Sequence, residues 1–245
     1  MQQISIEPRD PHADQAVAAI RGGNLEALAA ALDASPGLAF GPVPGYQGRT
    51  LLHIVTDWPG YWPQGPATVE LLVARGADPN DCGGDADDGE TPLHWAASSD
   101  DVHVAQALIA AGADVEARNG SIGTPLDNAL GYGCWSVARL LVARGARIER
   151  LWHAAALGDL ARIATLLTAG ATAGDINQAF WHACAGGQRR AAELLLQSGA
   201  DLHWTPDYAD GNALDAATGR STQRDNVIEW LAGLGLQPSA HTQRD

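Results

Sequence analysis

One unit recurs along this chain, and that recurrence limits the fold to an array of stacked repeats. Its fullest copy runs from Gly89-Glu-Thr-Pro-Leu-His-Trp-Ala-Ala97 to Leu108-Ile-Ala-Ala-Gly-Ala-Asp114. The closing Gly-Ala signature returns at Gly76, Gly112, Gly145, Gly170 and Gly199, each after apolar residues such as Leu71-Leu72 or Leu194-Leu195. The opening signature is Thr50-Leu-Leu-His53, Thr91-Pro-Leu-His94 and Thr124-Pro-Leu-Asp127. It decays to Leu151-Trp-His-Ala-Ala155 and Phe180-Trp-His-Ala-Cys184, and a last copy, Ala213-Leu-Asp-Ala-Ala217, leads to Leu231-Ala-Gly233. Residues 18–28 read as a helical cap ahead of the first copy. The pattern predicts about seven helix pairs with atypical end repeats that shield the core.

Each part of the unit has a physical cause. A Thr hydroxyl caps the first helix, and Pro in its first turn costs no hydrogen bond. The Ala-Ala pair lets helices approach closely, and the Leu-Leu pair fills the space between repeats. Gly after the second helix ends it in the left-handed conformation. A single helix pair cannot bury its apolar face, so the copies stack into one continuous core.

The TPLHWAA run at 91–97 and the LIAAGADVEAR run at 108–118 resemble the start and end of an ankyrin repeat. The chain is thus identified as an ankyrin-repeat protein: all-α, a right-handed solenoid of about seven helix-turn-helix repeats with short β-turn fingers. The expected layout is an N-terminal extension at 1–14, the repeat domain at 15–236 and a C-terminal tail at 237–245. The Asp-Trp-Pro-Gly insertion and the Leu-His-Trp-Ala-Ala-Ser-Ser-Asp-Asp run are similar to stand-alone bacterial ankyrin proteins. The resemblance implies a non-enzymatic module that recognises a protein partner through its concave groove.

Composition narrows the classes. A formal charge of −14 argues against nucleic acid or an anionic membrane as partner. All fifteen basic residues are Arg, which excludes a catalytic Lys. Cys82, Cys134 and Cys184 are odd in number and scattered, giving neither a disulfide framework nor a zinc motif, so neither metal nor cofactor is expected. The N-terminus lacks a signal-peptide core, and there is no apolar run of about eighteen residues. The expectation is a cytoplasmic monomer or weak dimer, and the Lys-free, Ala/Gly/Arg-rich usage suggests a bacterial source.

Departures from the repeat point to function. From His94 to Gly112 is eighteen residues, but from His53 to Gly76 is twenty-three. The excess is Asp57-Trp-Pro-Gly-Tyr-Trp-Pro-Gln-Gly-Pro66, a stiff aromatic loop suited either to contact or to plugging the N-terminal core. Gly145 to Gly170 is twenty-five residues, against a usual period of about 33, so a finger is missing there. Asp85, Asp87 and Asp88 only faintly resemble a calcium loop, with a misplaced Gly and no twelfth-position Glu.

Helical spacing then picks out the groove face, whose direction comes from the resemblance: the residue after the TPLH His, and those three and four further on. Down the copies this collects Asp57, Trp58, Trp95, Ser98, Asn128, Tyr132, His153 and His182 as candidate binding residues. His53 and His94 occupy the TPLH position and are expected to bond the neighbouring turn. Trp152 and Trp181 take that position in later copies, which turns His153 and His182 onto the groove. The alternative function is therefore a small-molecule binder or enzyme, with Asp57, His153 and His182 as acid/base candidates and the aromatic side chains clamping an apolar or aromatic ligand.

Overall fold

Helix starts in this protein are sealed locally. In the computed structural model, which describes residues 11–84, 89–218 and 222–239, Thr50, Thr91, Thr124, Thr172 and Asn212 each open a helix with a reciprocal capping box. His94, for example, accepts at Nδ1 from the Thr91 N–H at 3.2 Å. Helix ends are sealed as well. Gly112 takes φ 99°, as its four counterparts do within a few degrees, and the next N–H, of Ala113, turns back to the Leu108 carbonyl at 2.9 Å.

Among the described residues the helices come in seven pairs: α1 (Pro11–Gly22) and α2 (Leu25–Ala34), α3 (Leu51–Thr56) and α4 (Gly65–Ala74), α5 (Pro92–Ser98) and α6 (Val102–Ala110), α7 (Pro125–Gly131) and α8 (Trp135–Ala143), α9 (Leu151–Leu157) and α10 (Leu160–Thr168), α11 (Ala173–Ala185) and α12 (Arg189–Gln197), and α13 (Ala213–Ala217) and α14 (Thr222–Gly233). A single 3-10 turn covers Pro36–Ala39, and there is no strand among the described residues. The pairs form two compact units, residues 1–146 and 147–245. In the first, inner helices α1, α3, α5 and α7 pack in succession, as do outer helices α2, α4, α6 and α8. In the second, α9, α11 and α13 form the inner row and α10, α12 and α14 the outer row.

The core follows the repeat. Leu72, Leu108, Leu141 and Leu195, each four residues before a terminal Gly, are fully buried, and so are Ala96 and Ala97 of the tight inner contact. Each such Leu contributes about 1.5–3 kcal/mol of burial. The finger missing from the Gly145–Gly170 interval is the one before α9, where residues 144–150 alone follow α8 while 111–124 join α6 to α7. The next connection, within the second unit, is short as well. Only residues 169–172 join α10 to α11, and α11 begins early, capped by Thr172 through Asp175. At this second short connection the finger's residues have become an extra length of helix, α11 having 13 residues where α9 has 7.

All three cysteines are free. The residues read as a faint calcium loop, Asp85, Asp87 and Asp88, lie outside the described residues, as do most of the proposed terminal segments.

Candidate functional site

A recurring hydrogen bond sets the register of the inner helices. The N–H that opens each outer helix returns to an inner-helix carbonyl: Asp101 to Ala96 (3.2 Å), Cys134 to Ala129 (2.7 Å), Asp159 to Ala154 (2.9 Å) and Gln188 to Ala183 (2.8 Å). Trp95, Asn128, His153 and His182 each precede that alanine and are equivalent. Trp152 and Trp181 then stand where His94 stands. Trp181 also does that histidine's work: His53 and His94 donate from Nε2 to the Glu90 and Gly123 carbonyls (2.8 and 3.0 Å), and Trp181 donates from Nε1 to the Gly211 carbonyl (3.1 Å).

The sequence places Asn128, His153 and His182 on an open face, and here the structure differs. All three are buried, at 0, 3 and 4% exposure. The position after the TPLH histidine is enclosed by the packed helix row, and of these four side chains only that of Trp95 reaches partly into solvent.

In the first unit, five of the expected residues come together. Asp57, Trp58, Trp95, Ser98 and Tyr132 line an open cleft of about 260 Å³ with Arg49, Thr56, Ser99 and Glu90. Trp58 is 81% and Tyr132 61% exposed. The Arg49 guanidinium lies 4.8 Å from the Trp95 ring centroid and pairs with Asp57 at 3.3 Å; Arg21 also reaches Asp57, at 3.6 Å. Asp57 is therefore an ion-pair anchor between two cations. Ser98 spends its hydroxyl on the His94 carbonyl (3.0 Å) and accepts from Asn128 Nδ2 (3.2 Å), an arrangement that gives it no base.

The inserted loop does not close over this cleft as a lid. It runs along the ends of the helix pairs: Gly23 lies against Pro63, Gly60 against Ser99, and the Tyr61 N–H donates to Asp101 Oδ2 at 2.7 Å.

In the second unit, His182 sits within an aromatic layer. Trp152 lies 4.5 Å away at 32°, Tyr208 6.3 Å away at 26°, and Trp181 meets it edge-on at 5.0 Å. Its Nε2 is 3.2 Å from the Tyr208 hydroxyl, which also accepts from Gln178. Burial, and then the neighbouring His153, push the His182 pKa down to about 4, so the ring is neutral near pH 7. His153 packs edge-on to Trp152 at 4.3 Å. Where the finger is missing, a second cleft of about 490 Å³ opens, lined by Arg150, Trp152, Leu166, Asp175 and Gln178 among others. Leu166, four residues before Gly170, has lost the cover that its equivalents enjoy. Among the described residues no group of three or more His, Cys, Asp or Glu is arranged to hold a metal.

Comparison with known proteins agrees with this architecture. The family model described as Ankyrin repeats (3 copies) matches residues 61–150. The solved ankyrin repeat domain of Bcl-3, described as a unique member of the IkappaB protein family, superposes with a TM-score of 0.51 at 25% identity, covering 88% of this chain and 97% of that one. The chain is an ankyrin-repeat protein. The human ASB11 ankyrin repeat domain shares the fold at a TM-score of 0.53 and 21% identity, over 95% of this chain and all of that one. Over 103 residues the chain is 32% identical to the E3 ubiquitin-protein ligase KEG of Arabidopsis thaliana. That match covers 42% of this chain but 6% of the ligase, so the chain spans a small part of that protein's length.

Within the ankyrin frame, several residues at these places had escaped notice in the sequence. Arg49 and Glu90 lie on fingers just before the Thr that caps an inner helix, and Tyr208 lies on the finger between α12 and α13. The unusual finger Leu202-His-Trp-Thr-Pro-Asp-Tyr208 was the available signal for Tyr208. For Glu90 there was none, because a charged residue before the cap looks like ordinary finger surface.

Proposed function

We propose that this protein is a binding module that takes a segment of a protein partner at the cleft of its first unit. Ankyrin repeats are generally protein–protein interaction modules. The observation that carries the reading is the pair of largely exposed aromatic side chains, Trp58 and Tyr132, lining one cleft together with Trp95. Packing explains neither exposure, and partly exposed aromatic anchors around a cleft are what interface hot spots are made of. The same reading takes residues 15–236 as the repeat domain and the chain as a monomer or weak dimer in a bacterial cytoplasm, supported by cysteine use and composition. Among the described residues no helix is long and apolar enough to cross a membrane.

The enzymatic alternative has less support. Asp57 is held by two guanidinium groups in the first unit, while His153 and His182 are buried in the second. The cleft reading is tested by selecting peptides from a displayed random library on the full chain. Selected peptides should bind Trp58→Ala and Tyr132→Ala proteins about 10- to 30-fold more weakly, about 2 kcal/mol, with unchanged melting midpoints. Peptides indifferent to both substitutions would refute it.

A further inference from the structure

The cleft holds two carboxylates in very different states. Asp57 is neutralised by Arg49 and Arg21. Glu90 has only neutral partners: its Oε1 accepts from Asn128 Nδ2 at 3.0 Å, from Ser121 Oγ at 2.9 Å and from the Ser121 N–H at 3.3 Å. Among the described residues no cationic group forms an ion pair with it. Asn128 is completely buried and divides its Nδ2 between Glu90 and Ser98. The carboxylate is thus pinned from beneath by a side chain that cannot move away.

The aromatic surfaces of the cleft are similarly divided. The Trp95 ring is already covered by the Arg49 guanidinium. The rings of Trp58 and Tyr132 have no cation or ring partner among the described residues. Arg49 between Trp95 and Asp57 shows within the molecule what the cleft accepts: a cation on an aromatic face beside a carboxylate. Trp58, Tyr132 and Glu90 provide the same components with the cation missing.

We propose that the cleft takes a cationic side chain, Lys or Arg, from the partner segment, with Glu90 as its counter-charge and Trp58 and Tyr132 as its aromatic walls. This rests on the cleft being the partner site. An acidic side chain would face Glu90 and would have to compete with Asp57 for Arg49. A purely apolar one would desolvate the Glu90 carboxylate with no compensating charge. A cation gains from both the ring faces and the carboxylate. The charge of −14 on the whole chain also draws basic segments to it.

The test uses the full chain and peptide libraries with one position fixed as Lys, Arg, Leu or Glu, read by fluorescence polarisation. Lys or Arg peptides should bind about tenfold or more tighter than Leu or Glu peptides, and binding should weaken with added salt. Glu90→Gln keeps the carbonyl that accepts from Ser121 and Asn128 but removes the charge, and it should reduce the preference to about twofold. Exchanging Lys for norleucine, or Arg for citrulline, in the best peptide makes the same measurement without touching the protein and should cost a similar factor. A preference for Leu or Glu, or a norleucine or citrulline peptide that binds equally well, overturns the proposal. If peptides depend on Trp58 and Tyr132 but show no preference for cations, the cleft remains the partner site and this assignment alone falls. If no peptide depends on them, both fall.

Discussion

Burial holds His182 neutral, and that has a consequence for stability. Desolvation and then His153 lower its pKa from 6.5 to about 4 in the folded chain. Between those values the unfolded chain binds a proton that the folded chain does not, so stability rises with pH across that window. The contribution is complete above about pH 6.5 and is lost as pH falls toward 4, on the order of 3 kcal/mol in all. Urea unfolding should therefore show a steeper loss of stability from about pH 7 to about 4.5 for the wild type than for His182→Gln. Parallel pH profiles would show that His182 does not sense the burial. His53 and His94, lowered mainly by desolvation as well, contribute in the same direction to both proteins and cancel in the comparison.

The inserted segment between α3 and α4 is held through a residue of the following repeat. Asp101, which is buried, caps α6 by accepting from the Val104 N–H at 3.1 Å and accepts from the Tyr61 N–H at 2.7 Å. Tyr61 sits at φ 57°, a strained conformation for a non-glycine residue, and its hydroxyl reaches the Asp100 carbonyl. Packing adds to this: a Cβ on Gly65 would meet Val104 at 2.7 Å. Asp101→Ala should cost about 2 kcal/mol, combining a lost cap with a lost charge-assisted bond. It should also speed chymotrypsin cleavage after Tyr61, whereas cleavage at the wild-type rate would mean that other contacts hold the loop. The insertion was legible from its length and aromatic content. Its role as a brace along the helix-pair ends was not, because the residues that hold it lie about forty positions away in Asp100 and Asp101.

Across a whole unit, stability is distributed between neighbours, since a repeat contacts only the repeats beside it. In the second unit, Leu195 of α12 is fully buried, and α12 packs on α10, α11 and α14. Leu195→Ala should cost about 2–5 kcal/mol through lost burial and a residual cavity. Amide hydrogen exchange should show protection falling first in α12 and those three helices, with α9 and α13 affected less. An equal loss across all six helices would show that the unit opens as a single block. The shortened connection at 169–172 leaves Leu166 partly uncovered, so α10 should exchange faster than α12 even in the wild type.

Features settled within a few residues could be read from the chain alone. The Thr91–His94 cap, the Gly112 turn and the buried leucines depend on bonds spanning three to five positions, and the 3.6-residue period then identifies equivalent positions. The same logic brought Asp57, Trp58, Trp95, Ser98 and Tyr132 onto one face and found the lost finger in the short Gly145–Gly170 interval. Spacing carries no information about depth or charge pairing. Whether the side chain after the TPLH histidine is open or enclosed depends on the neighbouring helix row, and packing enclosed His153 and His182 among tryptophans. Asp57 met Arg21 from another repeat, and Glu90 met Asn128 thirty-eight residues on. Those meetings require the stack to form first, because each joins groups that only the stacking of separate repeats brings within reach.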